Sequence, residues 1–293
     1  MLNALTPAAA AAAGRPRRPF RHWRSALLLV PFCVLLALFC LAPLGWVVLH
    51  SVQGDDGPGF GHFREILASP FYRLAFINSL YISLWSSGCG LLIALIGAAS
   101  LRRVPGRLRN AVVAFTNMTS NLAGVPLAFA FVIVIGTNGA LTLLLRQWGW
   151  IDDFHLYSKG GLCLIYTYFQ IPLGVLLLYP AFDALDDDWQ QASALLGARL
   201  WQYWWHVALP VIAPAIFGTF ILLFANAMGA YASAYALTTG NFNLITVRIA
   251  SLVSGDIFLE PDLAAALSVL LTLLLVLVCT VNQMLLKRSY RAR

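Results

Sequence analysis

The chain has 293 residues, of which 60% are hydrophobic and 11% charged, and its mean hydropathy is +0.78. An average soluble domain is about one quarter charged, so this composition excludes a water-soluble fold and implies a polytopic membrane protein. The net charge of +7 sits at the ends of apolar runs rather than in one basic patch, so no nucleic-acid partner is expected.

Apolar stretches of the length needed to cross a hydrocarbon core, roughly 20 residues, lie near 25–49, 76–100, 111–136, 162–182, 213–238 and 262–286. They imply an all-α protein of about six transmembrane helices in one transmembrane domain, 25–288, whose partner surface is the lipid bilayer. Residues 1–24 form a basic tail, partly disordered over the alanine-rich Ala8 to Ala13, and 289–293 a short second tail. The first run is too long for a signal peptide and has no small-residue cleavage site after it, so it reads as an uncleaved span. Pro31 and Pro43 predict kinks within it. A turn cluster from Gly54 to Gly59 and a short surface helix with Phe63, Ile66 and Leu67 follow.

The second span carries Gly88, Gly90, Ala94, Gly97 and Ala98, which allow close helix approach in lipid. The third opens with Thr116, Asn117, Thr119, Ser120 and Asn121 and then meets Gly124 and Pro126, which predict an interruption. Broken polar helices often line a solute path. Between Gly136 and Gly161, Trp148, Trp150 and Tyr157 suit an interfacial belt, with Asp152 and Asp153 nearby. The fifth span contains Asn226, Tyr231, Ser233 and Tyr235, and the loop from Thr238 to Asp262 holds Arg248, Asp256 and Glu260. Asn117, Ser120, Asn121, Asn226, Tyr231 and Tyr235 are the candidates to line a path; interhelical hydrogen bonding is their other reading.

Of the 19 basic residues, 14 fall before the first span, between spans two and three, between spans four and five, or after the sixth. The positive-inside rule therefore places both termini and those two loops in the cytoplasm. All five cysteines fall inside predicted spans, without metal-binding spacing, and read as small packing residues.

The connection over 183–212 is long but does not look disordered. Asp186, Asp187 and Asp188 supply an N-cap and favourable charge at a helix start, Gln191 to Leu196 is helix-forming, and Gly197 frees the chain to turn. Trp201, Trp204 and Trp205 form a stripe at i, i+3 and i+4, and Pro210 falls where the next span should begin. The reading is two short helices at the membrane surface.

Here the sequence resembles a known family. Gln191-Ala192-Ser193, Gly197 and Val207-Ala208-Leu209-Pro210 are similar to the EAA loop of ABC importer permeases: Glu-Ala-Ala, three residues, Gly, nine residues, an aliphatic residue, any residue, Leu-Pro. The spacing fits throughout, with Gln191 at the acidic position and Ser193 at the second alanine. The surroundings, including Asn78-Ser79-Leu80, resemble the branch with polyamine, iron(III) and thiamine importers, and the likeness spans about residues 20 to 288.

The resemblance implies a MetI-like permease fold in the bacterial inner membrane. It also implies that Gln191, Ala192, Ser193, Gly197, Leu209 and Pro210 belong to a coupling segment that docks on a cytoplasmic ABC ATPase dimer. A second permease subunit, homologous or identical, and a periplasmic or surface-tethered solute-binding protein complete the implied assembly. The chain has only two lysines, Lys159 and Lys287, and no Walker A loop, so ATP hydrolysis is assigned to a partner and the chain to a non-catalytic role without cofactor. An intramembrane enzyme would need buried catalytic groups, yet no HExxH is present and no acidic residue sits mid-span. An ion-coupled secondary transporter with no ATPase partner is the alternative; such proteins usually carry ionisable residues in the membrane, absent here. Asp256 and Glu260 would favour a cation such as a polyamine.

Overall fold

The computed structural model describes residues 21–54, 57–122, 124–149, 156–254 and 259–291. Most of the N-terminal tail, Trp150, Asp152, Asp153 and Asp256 lie outside the described residues, as do the side chains of 285–293. Among the described residues, six helices are long and apolar enough to cross a membrane: Leu29–Val52, Pro70–Leu101, Val125–Gln147, Lys159–Asp183, Leu200–Gly229 and Pro261–Met284.

The chain divides into two units, Met1–Leu49 and His50–Arg293. In the first, α1 (Arg21–Leu36) runs through a π-helical turn, Ala37–Leu41, into α2 (Ala42–Val52). Pro43 lacks an N–H and its ring would press on the carbonyl of residue 39, which the wider turn moves away. The Ala42 N–H accordingly bonds five residues back, to Ala37 O.

The second unit begins with a two-residue bridge between Gln53–Gly54 and Gly57–Pro58 and a surface helix, α3 (Gly61–Ala68). Its frame is α4 (Pro70–Leu101) packed along α8 (Lys159–Asp183). The buried face of α4 is rich in small and hydroxyl residues, Ser79, Ser83, Ser86, Ser87, Gly90 and Ala94, with Ile82, Leu91 and Leu101 among them, while Leu84, Trp85, Leu92 and Ile96 point outward. That inversion of a soluble helix is what lipid selects, because close backbone approach replaces the hydrophobic drive. A β-carbon on Gly90 would lie 2.7 Å from Gln170 Cβ, and one on Gly174 2.7 Å from Ala94 Cβ. Helix α11 (Leu209–Gly229) packs on both, with Leu223 beside Gly174.

The interruption expected at Gly124 and Pro126 is present, and two spans have other bounds than the sequence reading gave, Val125–Gln147 for 111–136 and Leu200–Gly229 for 213–238. The stretch 111–136 is two helices, α5 (Gly106–Leu122) and α6 (Val125–Ile135), because Gly124 has φ 138°, open only to glycine, and Pro126 opens α6 without an N–H. The apolar run then continues through a turn into α7 (Ala140–Gln147). The fifth span begins at Leu200 instead of 213 and stops at Gly229, with α12 (Tyr231–Thr238) as a separate helix. Pro210 therefore lies inside a continuous helical run, α10 (Leu200–Tyr203), a π turn over Trp204–Ala208 and α11. The turn again precedes the proline by two residues, and Leu209 N–H bonds Trp204 O. The remaining elements are α9 (Asp187–Leu195), α13 (Ile245–Ser254) and α14 (Pro261–Arg291).

Replacing Gly174 with valine should overpack α4 against α8 and destabilise the fold by about 1–3 kcal/mol, read as a lower unfolding temperature in detergent. Gly218→Ala, with nothing within 4 Å of the added carbon, should not lower that temperature, since alanine is the better helix former. An unaltered Gly174→Val protein would refute the close-contact account.

Candidate functional site

Helix α9 is built to stand out from the bundle. Asp186 caps it by accepting the Asp188 N–H at 3.1 Å, and Asp187 and Asp188 add negative charge to the first turn. It ends in a Schellman motif: Gly197, at φ 80°, donates to Ala194 O, and Ala198 donates to Ser193 O, both at 3.0 Å. Nothing lies within 4 Å of a β-carbon placed on Gly197, so glycine is required there by backbone conformation and not by crowding.

No residue of α9 is buried. Gln191 and Ala192 are exposed, and Ser193 is half-buried with its hydroxyl donating to Gln190 O at 2.8 Å. Leu195 and Leu196, beside Gly197, are 90% and 88% exposed. Leu209 and Pro210 lie on a different element, at the head of α11.

The base of α9 is held tightly. Arg102, at the end of α4, donates to Leu185 O at 2.6 Å and pairs with the Asp187 carboxylate. Arg109 of α5 lies 3.6 Å from the Asp183 carboxylate, which also accepts from Tyr179. Arg102, Arg103, Gln190 and Trp204 border a cleft of about 400 Å³ here. Trp201 and Trp205 stack at 5.4 Å on the outside, whereas Trp204 turns in toward Phe182, so the expected stripe is split. The helix widens at Trp204, which rotates it away from its neighbours.

The second candidate region is a cavity of about 420 Å³ where the α5–α6 and α11–α12 interruptions meet α8. Asn226 and Tyr231 line it, and Tyr235 stands one turn on, its ring 5.6 Å from that of Tyr231. Asn117, Ser120 and Asn121 are not among its lining residues. They stay on α5, where the Asn121 amide donates to Asn117 O at 2.9 Å and reaches its side-chain oxygen at 3.3 Å.

Two residues absent from the sequence reading organise the cavity. Gln170 is 1% exposed and donates to Leu223 O at 2.7 Å, while its own oxygen takes the Asn226 amide at 3.4 Å. Tyr166 donates to Ala230 O at 2.9 Å, across the break between α11 and α12. An amide in the middle of the apolar run 162–182 was the available signal for Gln170.

Arg102→Ala should free the base of α9. Amide exchange over 187–196 is expected to quicken about tenfold, matching loss of charge-assisted hydrogen bonds, while exchange in α4 and α8 stays unchanged. Unaltered protection of α9 would show that Arg102 does not anchor it.

A family model described as the binding-protein-dependent transport system inner membrane component matches residues 89–292. The chain is 27% identical over 282 residues to the sn-glycerol-3-phosphate transport system permease protein UgpA of Escherichia coli O6:K15:H31, covering 89% of this chain and 93% of the relative. It is 25% identical to the sulfate transport system permease protein CysT of Escherichia coli K12, over 84% and 87% of the two chains. It is 29% identical to the spermidine/putrescine transport system permease protein PotB homolog of Mycoplasma genitalium, over 75% of each. Among solved structures, it shares the fold of a chain in a bacterial ABC transporter involved in import of the acidic polysaccharide alginate, with a TM-score of 0.74 at 18% identity over 92% of this chain and 96% of that one.

Proposed function

We propose that this chain, which belongs to the family of binding-protein-dependent transport system inner membrane components, forms half of a solute path and is driven through α9 by a separate ATPase. Its relatives are transmembrane permease subunits of ABC importers, and the chain is such a permease, multi-pass in the inner membrane and non-catalytic. The ion-coupled alternative gives way to this assignment.

The observation that carries the coupling assignment is the projecting helix itself. α9 is closed at both ends by its own caps, anchored at its base through Arg102, and offers Gln191, Ala192 and the two exposed leucines to a partner. A rigid lever of this kind transmits the closing of an ATPase dimer to the spans it is joined to. Those are α8, which runs directly into it, and α10–α11, which follow it. Both termini and this loop then face the cytoplasm, in line with the placement of the basic residues. A second permease, homologous or identical, supplies the other half of the path, and a solute-binding protein delivers the solute; the alginate transporter is known in complex with an alginate pentasaccharide-bound periplasmic protein.

The relatives' names span glycerol phosphate, sulfate, molybdenum, thiamine and polyamines, so a polyamine is one branch among several.

Affinity purification of the tagged chain from detergent-solubilised membranes should bring down a stoichiometric ATPase. Gly197→Val strains the left-handed C-terminal turn by about 1 kcal/mol and redirects the helix end. Solute-stimulated ATP hydrolysis by the purified assembly should fall about tenfold or more while the chain remains in the membrane at normal level. A chain isolated reproducibly without an ATPase, or a Gly197→Val assembly with unchanged hydrolysis, would contradict the coupling role.

A further inference from the structure

Three spans end or begin around the cleft of about 400 Å³ at the base of α9. Ile96 and Ala99 come from the last turns of α4 and Arg103 from just beyond it, Phe182 from the end of α8, and Trp204 from the first turns of the span Leu200–Gly229. The cleft therefore sits at the depth where the helices leave the hydrocarbon, at the end that the basic residues place in the cytoplasm.

Its rim and its walls differ in chemistry. The rim carries Arg102 and Arg103 against one carboxylate, that of Asp187, which Arg102 already pairs with. Arg103 is exposed, and its guanidinium has no hydrogen bond or ion pair among the described residues. The walls below are apolar: Phe182 is buried, Ala99 packs against it, and Ile96 is 70% exposed. Leu92, Ile96, Ser100 and Arg103 follow one another at helical spacing, so one outward stripe of α4 runs from apolar side chains through a hydroxyl to a free cation.

We propose that this cleft seats an anionic phospholipid of the surrounding membrane. Its phosphate accepts from the guanidinium of Arg103, with Arg102 alongside, and its acyl chain lies along Ile96 and Leu92. Trp204 stands at headgroup level, where an amphipathic indole is at home. A soluble anion would use the rim alone, whereas the stripe on α4 matches the polarity of a lipid from chain to phosphate. Arginine suits the phosphate because its planar fork meets two oxygens at once, and a basic cleft between helices at the cytoplasmic boundary draws anionic headgroups. The site goes beyond the permease reading, since it lies apart from the cavity beside α8 and needs no solute.

The test places the full chain, purified in the assembly as above, in phosphatidylcholine nanodiscs. These contain, at equal mole fraction, phosphatidylglycerol or phosphatidylcholine with a photoreactive group near the top of one acyl chain. Covalent labelling of residues 92–100 is read by mass spectrometry of the digested chain. The phosphatidylglycerol probe should label this stretch about fivefold more than the phosphatidylcholine probe, and Arg103→Gln should remove most of that excess. Arg107→Gln, which changes an exposed arginine outside the cleft, should keep it. Unlabelled phosphatidylglycerol should compete and inorganic phosphate should not. Equal labelling by the two probes, an excess that survives Arg103→Gln, or an equal loss in Arg107→Gln would overturn the site. Competition by inorganic phosphate would overturn it as well, by making it a site for a soluble anion. If Arg103→Gln does not accumulate, the two probes and the two competitors on the unsubstituted chain decide the matter.

Discussion

The close contact between α4 and α8 is the constraint on which both functional regions depend. Gly90 faces Gln170 and Gly174 faces Ala94, each pair too near to admit another carbon without movement. In lipid there is little hydrophobic reward for helix association, so packing at this distance supplies the cohesion. Because the contact runs along the length of α8, it fixes Tyr166 and Gln170 at the cavity and Phe182, Asp183 and Leu185 at the base of α9. Motion imposed on α9 thus has a stiff route to the cavity walls.

The helices around this spine are interrupted where backbone chemistry demands it. Pro43 and Pro210 each follow a π turn that absorbs the carbonyl their rings would strike. At Gly124 and at Ala230 the helices stop and restart instead, which exposes backbone donors inside the apolar zone. Irregular backbone is tolerated at membrane depth only where protein or a cavity receives it. At the α11–α12 break the Tyr166 hydroxyl donates to Ala230 O, and further back on α11 the Gln170 amide donates to Leu223 O.

Much of this was legible in the residues. Six apolar runs, the small-residue face of α4 and the break at Gly124 and Pro126 follow from length, spacing and proline chemistry alone. The spacing from Gln191 to Pro210 pointed to the permease family before any coordinates. The break after Gly229 was not legible, since no proline marks it and a long-range bond from Tyr166 holds it in place. The run from Leu200 to Gly229 was misread for a related reason: Pro210 usually signals a helix start, and the π turn that lets it sit in mid-helix has no local sequence mark. Asn117, Ser120 and Asn121 looked equivalent to Asn226 as polar residues in spans, but only tertiary packing decides which of them reach the cavity. Gln191 to Leu196 read as helix-forming, but the exposure of Leu195 and Leu196 was not legible, because it follows from α9 having no buried face for them to join.

Contact between α9 and the ATPase is the most direct test of coupling. A photo-crosslinking amino acid at Leu196, in membranes of cells that carry the whole system, should join this chain to the ATPase. The same group at Leu222, exposed on α11 within the span, should give no such product. Crosslinks to the ATPase from Leu222 but not from Leu196, or from neither site in preparations that contain the ATPase, would contradict the assignment of α9 as the docking element.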